Sequence, residues 1–459
     1  MSMDDLVSNT AGALAALIRK RELSPVEVVE AYLRRIDELN PKLNAIVTLA
    51  PDAVEKAREA ELAVVHGHAL GPLHGVPVTI KDTIETAGLR TTSGSALRAE
   101  FVPEHDAPAV ARLKAAGAII LGKTNTAEMA MDYTADNPVF GRANNPHNPL
   151  MTTGGSSGGE AAAIATCMSP GGIGSDLAGS IRIPSHFCGI AGLKPTVGRV
   201  PGEMQFPPST GPYSLGATIG PMARCVSDLQ LLFDVLAGNA VSATTKVPDS
   251  GSRLGGLRVA YYTDDTVASV TEETRVAVET AALILSEGGL KVAETLPPGV
   301  DRGHDLWLKL FSRASVVQLR NVYAGHEDKG GDFVRWRLAT ADDSPPPSLD
   351  DYIQSWLERD RLRAGLIEWM EDTPLMVAPV GATAAYEHGT HKLTVGEQTM
   401  STFRAFSYSQ TFNVFDLPAV VIPVGKSAKG LPIGVQIIGK PFAEPQVLAA
   451  AGIIEEGVR

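Results

Sequence analysis

The 459 residues are 44% hydrophobic and 20% charged, the balance of an ordinary soluble globular chain with enough apolar material for a large core. The net charge of −12 is spread along the chain and argues against a nucleic-acid partner, whose phosphates it would repel. Three cysteines without CxxC spacing define neither a disulfide framework nor a zinc site, and no apolar run approaches the ~18 residues that span a membrane.

Cys167, Cys188 and Cys225 read as reduced core thiols, and MSMDDLVSNT lacks the basic-then-apolar pattern of a secretory signal, so the expected location is the cytoplasm. Residues 4 to about 65 read as helical. Ser24-Pro25-Val26-Glu27 is a capping box with proline at the first helical position. Val28, Val29, Tyr32, Leu33 and Ile36 then fall on one helical face, with Glu27, Glu30, Arg34 and Asp37 on the solvated one.

From His74 to Asp82 the pattern alternates, with Val76, Val78 and Ile80 on one side and Pro77, Thr79 and Lys81 on the other, which predicts a short strand. A helix over Pro108–Ala116 closes at Gly117, and Ala118–Leu121 reads as a buried strand. Helices follow at Glu160–Cys167 and Ser227–Leu236, and strands at Leu257–Tyr261, Leu375–Ala378, Ala419–Ile422 and Gly434–Ile438. The last two are almost continuously apolar, so both their faces should be covered. Between about 300 and 372 the chain is helical, rich in Trp and Arg, and broken at Asp342–Pro347.

Such alternation predicts an α/β fold: one large domain over 1–459 with a central mixed, twisted sheet covered by helices on both faces. Its parts are an N-terminal helical region (1–65), a core that carries the motifs (66–240), and a C-terminal part (241–459). The last includes the helical excursion at about 300–372, read as a cap over the site.

The chemistry concentrates in GGSSGGEAAAIATCMSPGGIGSDLAGSIR, residues 154–182, where Ser156 and Ser180 are each set in glycine. Glycine-rich loops let backbone N–H groups approach a ligand, and such groups stabilise an oxyanion beside a serine nucleophile. Gly155-Ser156-Ser157-Gly158-Gly159 matches the G-x-S-x-G nucleophile elbow with Ser157 central, but that motif needs a strand before it. Pro146 and Pro149 deny one to residues 144–153. Ser180 has the better claim, since Asp176-Leu-Ala-Gly-Ser180 puts successive N–H groups beside a hydroxyl. None of the ten histidines is tied to it by sequence. Lys81, at the end of an apolar strand, is the alternative base, because burial would lower its pKa.

VTIKD around Lys81, GGSSGG at 154–159 and GSDLAGSIRIPSHFCGIAGLKPT at 174–196 together resemble the amidase signature hydrolases. The likeness continues through GKTNTAEM at 122–129, DNPVFG at 136–141, and the C-terminal LPAVVIPVG and GLPIGVQIIG. It covers nearly the whole chain and is weakest between about 295 and 375. The resemblance implies a triad in which Lys81 is the base, Ser156 a relay preceded by a cis peptide after Gly155, and Ser180 the nucleophile. It further implies an oxyanion hole from the N–H groups of Leu177, Ala178, Gly179 and Ser180, with Ser157 a supporting hydroxyl and Asp176 and Arg182 bracing the loop. Ala130, Met131 and Tyr133 fall where family members line the acyl pocket. No metal or organic cofactor is implied.

The expected activity is hydrolysis of C–N bonds in small-molecule amides, with esters and carbamates (urethanes) as further or main substrates, by a monomer or homodimer. Two alternatives stand beside it. One is a glutaminase subunit of a tRNA-dependent amidotransferase, although those subunits carry glutamine where this chain has Ile183. The other is a binding protein that has lost catalysis, against which the intact Lys81, Ser156 and Ser180 count. One departure from the family pattern is Ala178, which stands where Gly-Gly normally precedes the nucleophile and would be strained if that position needs a positive φ.

Overall fold

The computed structural model describes residues 2–239, 254–343 and 347–459. In chain order the strands are β1 (Ile46–Leu49), β2 (Pro77–Lys81), β3 (Ile119–Thr124), β4 (Gly171–Asp176), β5 (Ala191–Lys194), β6 (Thr218–Ala223) and β7 (Arg258–Tyr261). They continue with β8 (Lys291–Glu294), β9 (Leu375–Pro379), β10 (Lys392–Val395), β11 (Gln398–Ser401), β12 (Ala419–Lys426) and β13 (Pro432–Gly439). Among the described residues eleven of them form one sheet, ordered β1-β3-β2-β4-β6-β5-β12-β13-β9-β7-β8, and β10 pairs with β11 in a separate hairpin. The sheet is mixed: β2 runs parallel to β3 and β4, the strands from β4 through β9 pair antiparallel, and β9, β7 and β8 are parallel again.

The fold is therefore α/β with a large mixed sheet flanked by helices, as the alternation predicts. All eight residues of β13 are buried, which requires cover on both faces of the sheet. Helices Glu272–Glu287 and Glu444–Gly457 pack on β12 and β13, as does the helix Arg182–Cys188. The capping box at Ser24 forms, with Pro25 at the first helical position, and Val28, Val29, Tyr32 and Ile36 are buried while Leu33 is half-buried.

Three expectations need correction. The N-terminal region is not helical throughout, because β1 interrupts it. The helix Pro25–Leu43 ends at Asn44 in the left-handed region (φ 48°), and Asn40 Oδ1 accepts the N–H groups of Ala45 and Ile46, turning the chain onto the sheet edge. The second concerns residues 171–176, read as glycine loop, which are instead the buried strand β4. A Cβ on Gly174 would lie 2.7 Å from Ser157 Oγ, and one on Gly172 would overlap Glu160, so these glycines serve close approach rather than a turn. Finally, Cys167 is half-buried, unlike the buried Cys188 and Cys225.

The excursion is helical as expected: Gly303–Trp307, a wide π turn at Leu308–Ser312, then Arg313–Tyr323, Asp332–Ala339 and Leu349–Asp372. Of the predicted break at Asp342–Pro347, residues 344–346 lie outside the described residues. No helix among the described residues is long and apolar enough to cross a membrane.

Candidate active site

Lys81 closes β2 in the interior of the sheet and is wholly buried. Its Nζ donates to Ser156 Oγ at 2.6 Å and to Ser175 Oγ at 3.0 Å, with the Ser175 carbonyl at 3.5 Å. Burial drives its pKa down to about 7, against the opposing pull of Asp176 and Glu160. At that value a neutral amine is available as a base near neutral pH, whereas an exposed lysine would hold its proton.

Ser156 follows a cis peptide bond at Gly155. Only glycine fits at 155, because a Cβ there would meet the carbonyl oxygens of Thr134 and Asp132 at 2.5 and 2.6 Å. Ser157 begins the helix Gly158–Ala165, and its N–H donates to the Ser180 carbonyl at 3.1 Å. That bond joins the two serine segments. No hydrogen bond links Ser156 Oγ to Ser180 Oγ in this structure, and catalytic contacts of this kind commonly tighten only when substrate is seated.

Ser180 sits between β4 and the helix Arg182–Cys188, 6% exposed at the floor of a cavity. Its loop is braced from below as expected. Arg182 donates to both oxygens of Asp176 (Nε 3.0 Å, Nη2 2.9 Å), and Asp176 also accepts the N–H groups of Gly179 (2.8 Å) and Ile181 (3.1 Å). Burial alone would push the Asp176 pKa up, but the Arg182 guanidinium and these bonds outweigh it and hold the carboxylate ionised. Asn413 and Gln436 complete the brace, accepting from Arg182 at 2.5 and 3.0 Å.

The left-handed φ of the loop falls on Gly179 (106°) and not on Ala178, which removes the anticipated strain. Two loop carbonyls are held by side chains of the cavity wall: Trp307 Nε1 donates to Leu177 O (3.1 Å), and Tyr133 Oη donates to Ala178 O (2.8 Å). In a trans peptide the next N–H points the opposite way. Thus the Ala178 N–H turns away from Trp307, while the Gly179 N–H turns onto Asp176. The expectation that Gly179 is one of four oxyanion donors is corrected, since its N–H is already committed to the Asp176 carboxylate. The N–H groups of Leu177, Ala178 and Ser180 have no acceptor among the described residues.

The cavity above Ser180 has a volume of about 240 Å³. Ala130, Met131 and Tyr133 form part of its wall, where the family likeness puts them. The rest escaped sequence reasoning. Trp307, Phe311, Phe333 and Trp336 come from the excursion, and Phe403 stacks on Tyr133 with ring centroids 4.6 Å apart. Arg337 also reaches the lining and donates to Ser312 Oγ (2.6 Å) and its carbonyl (2.8 Å). Ser175, Asn413 and Gln436 were missed as well. Recognition of β4 as a strand beside β2 would have exposed Ser175, whereas nothing in the sequence ties 413 or 436 to residue 182. Among the described residues no cluster of His, Cys, Asp and Glu is arranged to hold a metal.

The chain belongs to the amidase family, whose model, described as Amidase, matches residues 27–448. It is 34% identical to the glutamyl-tRNA(Gln) amidotransferase A subunit of Roseiflexus castenholzii over 97% of this chain and 95% of that protein. It is 30% identical to human fatty-acid amide hydrolase 2 over 96% of this chain and 88% of that protein. Among solved structures it resembles 6-aminohexanoate cyclic dimer hydrolase complexed with substrate, with a TM-score of 0.85 at 30% identity, over 99% of this chain and 98% of that one.

Proposed function

We propose that the protein hydrolyses amide C–N bonds through an acyl-enzyme on Ser180. The observation that carries this reading is the 2.6 Å contact between Lys81 Nζ and Ser156 Oγ, made by a buried lysine whose pKa is lowered to about 7. Neutral Lys81 takes the Ser156 proton as Ser156 takes that of Ser180, and Ser180 Oγ attacks the substrate carbonyl. The N–H groups of Leu177, Ala178 and Ser180 stabilise the developing oxyanion. Collapse breaks the C–N bond, Ser156 returns the proton to the leaving nitrogen, and Lys81 reprotonates Ser156. Water then attacks the acyl carbon by the same relay and frees the acid.

The aromatic wall favours an apolar or aryl acyl group. Esters and carbamates enter the same cycle, since the relay acts on the carbonyl and on the leaving atom without regard to which heteroatom it is. The chain works in this reading as a monomer or homodimer in the cytoplasm. A panel of anilides, primary amides, esters and aryl carbamates compared by kcat/KM tests it; failure on every amide would sink it.

The kinship with the amidotransferase A subunit supports a second reading as a glutaminase. Against it stand Ile183 in place of the glutamine those proteins carry and the aromatic rings of Tyr133, Trp307, Phe311, Phe333, Trp336 and Phe403 in the cavity wall. A higher kcat/KM for ammonia release from glutamine than from a primary aryl carboxamide would favour the second reading.

A further inference from the structure

Glu128 is a buried carboxylate, 3% exposed, that takes no part in the chemistry above. It lies in the sharply turned segment that leads to the cavity residues Ala130 and Met131, with Met129 and Ala130 both at φ 56°. Its two oxygens reach in different directions into the excursion. Tyr323 Oη, at the end of the helix Arg313–Tyr323, donates to Oε1 at 2.7 Å and also lies 2.7 Å from Ser95 Oγ. The N–H of Gly331, which caps the helix Asp332–Ala339, donates to Oε2 at 2.8 Å. A Cβ on residue 331 would stand 2.6 Å from that oxygen, so a side chain there would have to displace the carboxylate.

Around these bonds lies a small apolar cluster, separate from the main core, of Met129, Leu319, Tyr323 and Val334. Leucine or methionine at 128 would pack there without the desolvation cost of a carboxylate. What the carboxylate adds is direction: two bonds fix the height and tilt of two helices over one point. The second of those helices carries Phe333, Trp336 and Arg337 of the cavity wall.

We infer that Glu128 is a positioning residue for acyl specificity, mooring the excursion to the Ala127–Met131 turn so that the aromatic wall stands at a fixed distance from Ser180. The inference rests on the reading of Ser180 as the nucleophile. Loss of the mooring lets the wall drift, so a substrate that leans on it loses affinity while one too small to reach it does not share that loss.

The test compares anilides of 3-phenylpropanoic and acetic acid in wild type, Glu128→Ala, Glu128→Gln and Tyr323→Phe. Glu128→Ala should lower the phenylpropanoyl-to-acetyl ratio of kcat/KM at least tenfold, chiefly through KM. Tyr323→Phe, which removes one hydroxyl inside the same cluster, should move the ratio in the same direction and serves alone should the alanine variant not fold. Glu128→Gln keeps the volume and an acceptor for Gly331, and should recover part of the ratio. A ratio within twofold of wild type in Tyr323→Phe and the foldable Glu128 variants, or equal losses on both anilides, overturns the inference but leaves the Ser180 reading intact. Wild type that hydrolyses neither anilide and takes no fluorophosphonate on Ser180 overturns both.

Discussion

At the scale of single residues, the proposed catalytic cycle turns on Lys81. Its proton is the one that must be absent, so the sign of the pH dependence is fixed. Below about 7 the amine is charged and cannot accept from Ser156; above it the amine is neutral and the relay runs. Activity should therefore rise with pH through about 7 and then level off. Lys81→Ala should lose about 10²–10⁴-fold in kcat and show no such rise, so a retained limb in its pH–rate profile would count against Lys81 as the base. The sequence made Lys81 visible because it ends an apolar strand, but that signal is not selective. Lys123 in β3 and Lys194 in β5 are equally buried, with pKa values lowered to about 8. Lys123 spends its donors on the Thr86 and Thr91 hydroxyls and the Ile84 carbonyl, none of them a serine. What singles out Lys81 is β4 lying beside β2, and glycine-rich β4 does not look like a strand.

Among the elements, the loop between β4 and the helix Arg182–Cys188 separates what glycine does from what alanine tolerates. A side chain at 179 meets a φ of 106° and, 2.7 and 2.8 Å away, atoms of Ser409 and Ile183. Gly179→Ala should thus cost more than about 1 kcal/mol of stability and most of the activity, while Ala178→Gly should cost only about 0.4–1 kcal/mol through the unfolded chain and leave kcat within a few-fold. Denaturant titration and kinetics on the two variants read this directly; equal effects would mean that the loop geometry is wrongly placed. The family pattern flagged Ala178 as the departure, yet φ is a property of the backbone path, and no pattern of residue types states which of two neighbours takes the left-handed conformation. The capping box at Ser24, the apolar strands and the excursion helices were legible for the opposite reason, since their signals are local.

Over the whole molecule, the site is held by contacts between segments far apart in the chain. Arg182 and Asp176 are both fully buried and joined to Asn413 and Gln436, which ties the Ser180 loop to β13 and to the helix Ser407–Val414. Arg182→Met would leave the Asp176 carboxylate buried without its partner, and should destabilise the protein by about 3–5 kcal/mol in chemical denaturation. A loss below about 1 kcal/mol would show that the brace is not what holds the loop. The same long reach explains why the cavity was the least legible part of the site: Met131, Trp307 and Phe403 converge only when the sheet, the excursion and the β10–β11 hairpin are assembled. The central claim remains that Ser180 is the residue that carries the acyl group. Treatment with a fluorophosphonate followed by peptide mass mapping tests it most directly. One adduct is expected, on Ser180, absent from Ser180→Ala together with turnover; an adduct on Ser157, or a Ser180→Ala variant that still labels and hydrolyses amides, would contradict it.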